Sequence, residues 1–226
     1  MLDAMIRDGQ SIAVGWGQTL SASFKRLRSR KLKSSSVISL MGGLKRASEA
    51  NSFDVSTELA RTLGSDCYFL TAPVYCPSIE SREILLTHGG VNDVMARARK
   101  SDMAIISCGD LTPGSQMTPL GTISSVRERL PELEKIGAIG EILGTFLDKD
   151  GKPVDHMLNR SVIALSPDDL KTIPRSILIS GGLHKAGIIQ AILNGGYVNC
   201  LVTDEAVARK LIGEQQKVNW DNRDNF

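Results

Sequence analysis

Ile12-Ala13-Val14-Gly15-Trp16-Gly17-Gln18-Thr19-Leu20 runs from a short apolar segment through two glycines into a stretch where Leu20, Phe24 and Leu27 recur at i, i+4 and i+7. The first part reads as a strand buried on both faces, the last as an amphipathic helix. A strand that turns through glycine straight into a helix gathers free backbone N–H groups and the positive end of a helix dipole at one point. Such a turn either holds an anion, with the Thr19 hydroxyl as a further donor, or is a tight connection without a ligand. It is not a dinucleotide fingerprint. Position 20 is Leu where that pattern needs Gly, and the next strand, Val37 to Met41, is followed by Gly42 where it needs an acidic residue. No Walker A sequence occurs.

The same alternation continues outward. Short apolar runs at Val37–Met41, Cys67–Thr71, Met103–Ser107, Ser176–Ser180 and Val198–Thr203 read as further buried strands. Between them Val55, Leu59 and Leu63, stopped by Gly64, and Val91, Val94, Met95 and Ala98 carry helical spacing. Asp204 can cap a helix over Glu205 to Ile212, with Gly213 ending it. The pattern predicts an α/β fold with a mainly parallel sheet covered by helices on both faces. One stretch interrupts it: Glu141 to Leu147, Asp148-Lys-Asp-Gly151, then Pro153 to Leu165 reads as an inserted β-hairpin. Residues 1–213 form the domain, and 214–226, polar and without period, read as a loosely ordered tail.

Composition sets the outer limits. At about 150 residues per domain, 226 residues make one or two domains, and one suffices. A chain that is 42% hydrophobic and 23% charged is neither disordered nor fibrous. Twenty-seven basic against 25 acidic residues leave a net charge of +2, without the strong field of a dedicated nucleic-acid binder. Cys67, Cys76, Cys108 and Cys200 form no C-x-x-C pair and are expected to be reduced and buried. His88, His156 and His184 are dispersed, so no metal site or cofactor is expected. No leader pattern and no apolar run of membrane-spanning length is present, so a cytoplasmic location is expected.

Two more glycine pairs follow predicted strands: Gly42-Gly43, and Gly181-Gly182 with His184 and Lys185 at the start of the next helix. In a parallel sheet all strand C-terminal ends open on one rim, so these loops and Gly15–Thr19 should converge there, where open α/β sheets bind ligands. Lys185 then suits a phosphate or carboxylate. Taken singly, a glycine after a strand is a turn and a lysine is a solvated charge. Asp148 and Asp150 flank a turn glycine and read as turn formers. Glu141 and Asp155 are not explained by turns; each is either a solvent-facing strand residue or an acceptor for sugar hydroxyls or a general base. Lys25, Arg26, Arg28, Arg30, Lys31 and Lys33 crowd nine positions after the first long helix. A wet face at a helix C-terminus accounts for them, and nucleic-acid contact would lack interleaved aromatics and a recognition helix.

In combination these residues resemble the sugar-binding effector domain of the SorC family of bacterial transcriptional regulators. The resemblance runs in order over residues 9 to 212. It is carried by the Ile12–Leu20 stretch, Leu40-Met-Gly-Gly43, Ala72-Pro73, Gly137-Ala-Ile-Gly-Glu141, Phe146-Leu-Asp-Lys-Asp-Gly151, Gly181-Gly-Leu-His-Lys185 with Ala191-Ile192, and Leu201-Val-Thr-Asp-Glu205. It implies a fold related to sugar-phosphate isomerases and deaminases, used without catalysis to sense a phosphorylated sugar. Gly15, Gly17, Gln18 and Thr19 would then hold phosphate, Gly42 and Gly43 would line the pocket, and Asn51 would lie near the sugar. Glu141 and Asp155 would bind hydroxyls, and Gly181 and Lys185 would close on the ligand. Met41 stands where some phosphosugar-sensing relatives carry arginine, so no second phosphate contact is implied there.

The family's helix-turn-helix, roughly 50 to 60 residues long, is expected to be missing from this chain, which would therefore reach operator DNA only through such a domain. A homo-oligomer, dimer or tetramer, is expected, since a sensor coupled to a two-fold operator needs symmetric contacts. No catalytic residue and no membrane partner are expected. The competing readings are a sugar-phosphate isomerase or deaminase, with Glu141 or Asp155 as base and Lys185 polarising a carbonyl, and a purely structural dimerisation domain.

Overall fold

Side chains alternate across a strand, so short strands that are apolar at every position must be covered twice. The computed structural model, which describes residues 1–44, 52–111 and 124–221, shows this arrangement. Its strands are β1 (Ser11–Val14), β2 (Ser36–Ser39), β3 (Asp66–Tyr68), β4 (Met103–Ile106), β5 (Cys108–Asp110), β6 (Gly140–Ile142), β7 (Thr145–Leu147), β8 (Arg175–Ile179) and β9 (Cys200–Val202). Its helices are α1 (Leu2–Met5), α2 (Gln18–Phe24), α3 (Ser52–Leu63), α4 (Ile79–Thr87), α5 (Gly89–Arg99), α6 (Ser124–Arg127), α7 (Leu130–Lys135), α8 (Met157–Ser161), α9 (Pro167–Leu170), α10 (Ala186–Asn194) and α11 (Glu205–Asp221).

Six strands form one sheet in the order β3-β2-β1-β4-β8-β9, and every pairing in it is parallel. On one face Ile12, Val14, Val37, Met103, Ile105 and Ile177 pack with Leu20 and Phe24 of α2 and Val55, Leu59 and Leu63 of α3. On the other, Ala13, Ile38, Ala104, Ile106 and Leu178 pack with residues of α5, α10 and α11. The six apolar runs all become strands of this sheet, as the sequence predicts, but the edge strands β3 and β9 are only partly buried, because each has a neighbour on one side alone. The chain starts at β1, winds outward through β2 and β3, returns to β4 beside β1, and then winds the other way. That reversal opens a crevice between the C-terminal ends of β1 and β4.

The inserted segment differs from the expected hairpin. A second, three-stranded antiparallel sheet, β5-β6-β7, leaves the end of β4 and folds over the rim. Its tight turn is Leu143-Gly144, both at positive φ (51° and 77°), the twist that two-residue hairpin turns require. Asp148–Gly151 is a separate turn in which the Asp148 carboxylate accepts from the Asp150 and Lys152 N–H groups. After the single bridge Leu147–Pro153, the stretch read as a return strand contains α8. The C-terminal reading also changes: α11 does not stop at Gly213 but runs to Asp221, since one glycine costs a helix interior only about 1 kcal/mol. Cys76 and Cys108 are buried, Cys67 and Cys200 only partly so, and all four are free. Among the described residues no helix is long and apolar enough to cross a membrane, and no group of His, Cys, Asp and Glu could hold a metal.

The rim of the main sheet leaves no room at Gly42. A Cβ there would lie 2.6 Å from the carbonyl oxygens of both Ala72 and Pro73. Backbone cannot swing aside as a side chain can. Gly42→Ala is therefore expected to cost about 1 to 3 kcal/mol, the usual range for overpacking, seen as a melting temperature several degrees lower in a thermal scan.

Candidate functional site

β1 ends at Val14, and Gly15 N–H extends its pairing by donating to Ile105 of β4. Trp16 and Gly17 (φ 117°) then turn the chain into α2. The N–H groups of Gln18, Thr19 and Leu20 donate to no acceptor among the described residues, whereas Ser21 N–H already reaches the Gly17 carbonyl. With seven residues α2 is short, so the donors themselves matter more here than a helix dipole. The Gln18 side chain is exposed and Thr19 half-buried. A Cβ on Gly17 would lie 3.7 Å from that of Ser107, the residue following β4, so this loop faces the crevice.

Beside that loop lies a buried charge cluster. Glu141, in the middle of β6, is 2% exposed and Lys185 7%. The Glu141 carboxylate accepts from Gly144 N–H at 2.7 Å, and also from the Trp16 indole N–H and from Gly109 N–H. Lys185 Nζ donates to the Cys108 carbonyl of β5 at 3.2 Å and attracts the Glu141 charge. Burial outweighs these partners and pushes the Glu141 carboxyl up to about 7. Burial likewise pushes the Cys108 thiol up to about 12, which makes it a poor nucleophile, and its Sγ donates to Ser180 Oγ at 3.3 Å. Tyr75, raised well above the ordinary phenol value by burial and then by Glu141, donates its hydroxyl to the Gly144 carbonyl at 2.6 Å.

The third glycine loop closes the same rim. After β8 come Ser180, Gly181 and Gly182, then a single 3-10 turn, Leu183–Lys185, that carries Lys185 inward. Asp204 fastens this loop. Its carboxylate accepts from Val207 N–H, capping α11, and from Gly182 N–H at 2.6 Å, bonds that hold it below the usual carboxylate range. A Cβ on Gly181 would meet Asp204 Oδ2 at 2.7 Å.

The predicted residues separate accordingly. Gly15, Gly17, Gln18, Thr19, Glu141, Gly181 and Lys185 fall on one rim, and the cluster of Trp16, Glu141 and Lys185 links the elements that carry them. Gly42 and Gly43 lie beside it but are buried, and their N–H groups are taken by the Ile163 and Ala72 carbonyls, so packing accounts for both. Asp155 is not brought to Glu141. It sits beyond β7 with its side chain 83% exposed, in an ion pair with Arg160. Asn51 lies outside the described residues. Asp204 caps the last helix as the sequence predicts, but its hold on Gly182 N–H is not legible there, and neither is a site role for Trp16, Ser107 or Ser180; the two serines each end an apolar strand run, a signal that could have placed them on the rim.

The switch point of a parallel sheet, with a buried carboxylate and ammonium beside open N–H donors, is where open α/β domains bind small molecules. The family model described as "Putative sugar-binding domain" matches residues 1–213. The chain belongs to this family of sugar-binding domains. It is 31% identical over 207 residues to the erythritol catabolism regulatory protein EryD of Brucella abortus, covering 92% of this chain and 65% of that protein. It is 32% identical over 219 residues to the transcriptional regulator LsrR of Klebsiella pneumoniae, covering 93% and 64%. The chain thus spans just under two thirds of these relatives. A DeoR family transcriptional regulator from Listeria monocytogenes superimposes with a TM-score of 0.85 at 26% identity, over 93% of this chain and 82% of the other.

The Glu141 carboxyl gives a stability signature. It holds its proton to about pH 7 in the folded chain but releases it near 4.5 when unfolded. Between those values only the unfolded chain has lost the proton, so stability falls as pH rises and then levels off. The fall should be roughly 3 kcal/mol. Glu141→Gln, which keeps the size of the side chain and one acceptor oxygen but cannot ionise, is expected to flatten it; an unchanged slope in denaturant titrations would assign the effect to another group.

Proposed function

We propose that this chain is the effector-sensing and oligomerisation module of a regulator and that its effector is a phosphorylated sugar. The observation that carries this reading is the buried Glu141 and Lys185 pair, tied through Trp16 to a loop with open N–H donors. A carboxylate beside an ammonium, both shielded from water, suits hydroxyls and an anionic group in one small ligand. In this reading the Gln18, Thr19 and Leu20 N–H groups and the Thr19 hydroxyl receive the phosphate. Glu141 accepts from sugar hydroxyls, and Lys185 closes on the ligand from the Gly181-Gly182 loop. Asp155, exposed and paired with Arg160, plays no part in it.

The regulators similar to this chain are longer, so operator recognition is assigned to a domain outside these 226 residues, acting in the cytoplasm. Effector binding would shift the geometry between subunits of a homodimer or a larger symmetric assembly. Light scattering at tens of micromolar is expected to give at least the dimer mass. A turnover reading has one observation in its favour, the Glu141 carboxyl near 7, where a general base works well. The three donors on that carboxylate fit a fixed acceptor better than a proton shuttle.

A panel of sugar phosphates and the matching free sugars, screened by thermal shift and then calorimetry, tests the assignment. At 100 times its dissociation constant a binder should stabilise the chain by about 2.7 kcal/mol. The phosphorylated form is expected to bind far better than the free sugar and to be recovered unchanged. Lys185→Met should weaken it by about 2 to 5 kcal/mol, roughly 30-fold or more. Equal affinity for both forms would remove the phosphate from the proposal, and consumption of the sugar phosphate would favour an enzyme.

A further inference from the structure

The opposite end of the sheet carries a different chemistry. In register, Ser36 of β2 lies beside Ser11 of β1, Ile12 beside Met103 of β4, and Met103 beside Arg175 of β8, so the segments entering these strands share one rim. The connection from α2 to β2 arrives there with Lys25, Arg26, Arg28, Arg30, Lys31 and Lys33.

This connection is pinned along its backbone. Arg28 N–H donates to Asp3 and Ser34 N–H to Asp8, while Arg30 N–H and Leu32 N–H reach the Thr62 and Leu63 carbonyls of α3. Leu32 is buried in the core and Leu27 packs against it. Arg30 is structural, its guanidinium donating to the Asp3 and Ile6 carbonyls. Arg26, Arg28, Lys31 and Lys33 are exposed and, among the described residues, make no ion pair.

Neighbouring carboxylates offset only part of this charge. Asp3 faces Arg30, and Asp8 accepts from Gly9 and Ser34 N–H groups. Asp102 is held by the Ser11 N–H and hydroxyl, which keep it below the usual carboxylate range. Asp66 stands exposed at the start of the edge strand β3. Arg7 and Arg175, also exposed and without an ion pair among the described residues, line a cleft of about 410 Å³ on the same rim. The cations of this rim still outnumber its carboxylates, an excess that a net charge of +2 for the whole chain conceals.

We propose that this rim is a sequence-independent contact for the phosphate backbone of duplex DNA, distinct from the effector rim at the other end of the strands. Cations on an anchored backbone meet a regular row of phosphates without an ordering cost for the loop. No aromatic is interleaved among them, which disfavours stacking on single strands. The apolar residues between them, Leu27 and Leu32, pack inward and offer a bilayer no anchor. The proposed place of this chain in a transcriptional regulator supplies the polyanion, and the inference rests on that reading and not on the identity of the effector.

The test is fluorescence anisotropy of the chain with short labelled duplexes of random sequence across a salt series. With four phosphates neutralised, affinity should drop on the order of 100-fold between about 50 and 200 mM salt, equally for unrelated sequences. The variant Arg26→Gln/Arg28→Gln/Lys31→Gln/Lys33→Gln, which keeps Arg30, should lose a slope of about 3.6 in log K against log salt. Lys31→Gln/Lys33→Gln, a milder change should the fourfold variant misfold, should lose about half of that. Melting with and without sugar phosphate should match the parent chain. No duplex binding at about 50 mM salt, an unchanged slope in both variants, or binding to phosphatidylserine vesicles without binding to duplex would each overturn the proposal.

Discussion

A carboxylate removed from water has to be met by donors or by a proton, and Glu141 shows both responses. Gly109, Gly144 and Trp16 donate to it from three separate segments, and Lys185 adds a charge from a fourth. Its carboxyl still rises to about 7, because burial costs more than those partners return. This one group therefore ties the antiparallel ribbon to the glycine turn after β1 and to the loop after β8. If any of these elements moved, a buried charge would lose a donor, a penalty of several kcal/mol.

The sheet divides its labour by strand polarity. Parallel strands send every β-to-α turn to one rim and every α-to-β connection to the other, so the two rims carry unrelated sequence. The rim at the C-terminal ends of the strands is built from glycines, serines and a buried carboxyl and ammonium, with N–H groups left open at α2. The far rim is built from arginines and lysines on a pinned connection, with its acidic residues engaged locally. Strands β1, β4 and β8, nearly all of whose residues are buried, run between the two as a rigid slab.

Similarity to longer regulators and the physical reading of the site agree on what kind of object this is, for different reasons. The family match rests on order and spacing of residues, many of which do packing work. Gly42, for instance, sits against the Ala72 and Pro73 carbonyls and spends its N–H on Ile163. A motif residue can therefore identify a family without touching its ligand. Glu141 and Lys185 belong to the motif as well, but their burial and mutual attraction give them a chemistry that the packing glycines lack.

The sequence by itself determined the six strands of the main sheet and the helices between them, because apolar runs and a 3.6-residue period are local signals that tertiary contacts here reinforce. It determined too that three glycine loops share one rim, which follows from parallel topology alone. Tertiary structure decided the rest. The hairpin turn falls at Leu143-Gly144 and not at Asp148–Gly151, because either stretch can turn and pairing of β6 with β5 selects the register. Gly213 is carried inside α11 since one glycine weakens a helix without ending it. Asp155 and Glu141 looked alike in one dimension. Only the placement of β6 against β5 buries the first-named residue's rival beside Lys185, while Asp155 is left in water with Arg160. A carboxylate's role depends on its dielectric surroundings and its partners, and those come from segments that are far apart in the chain.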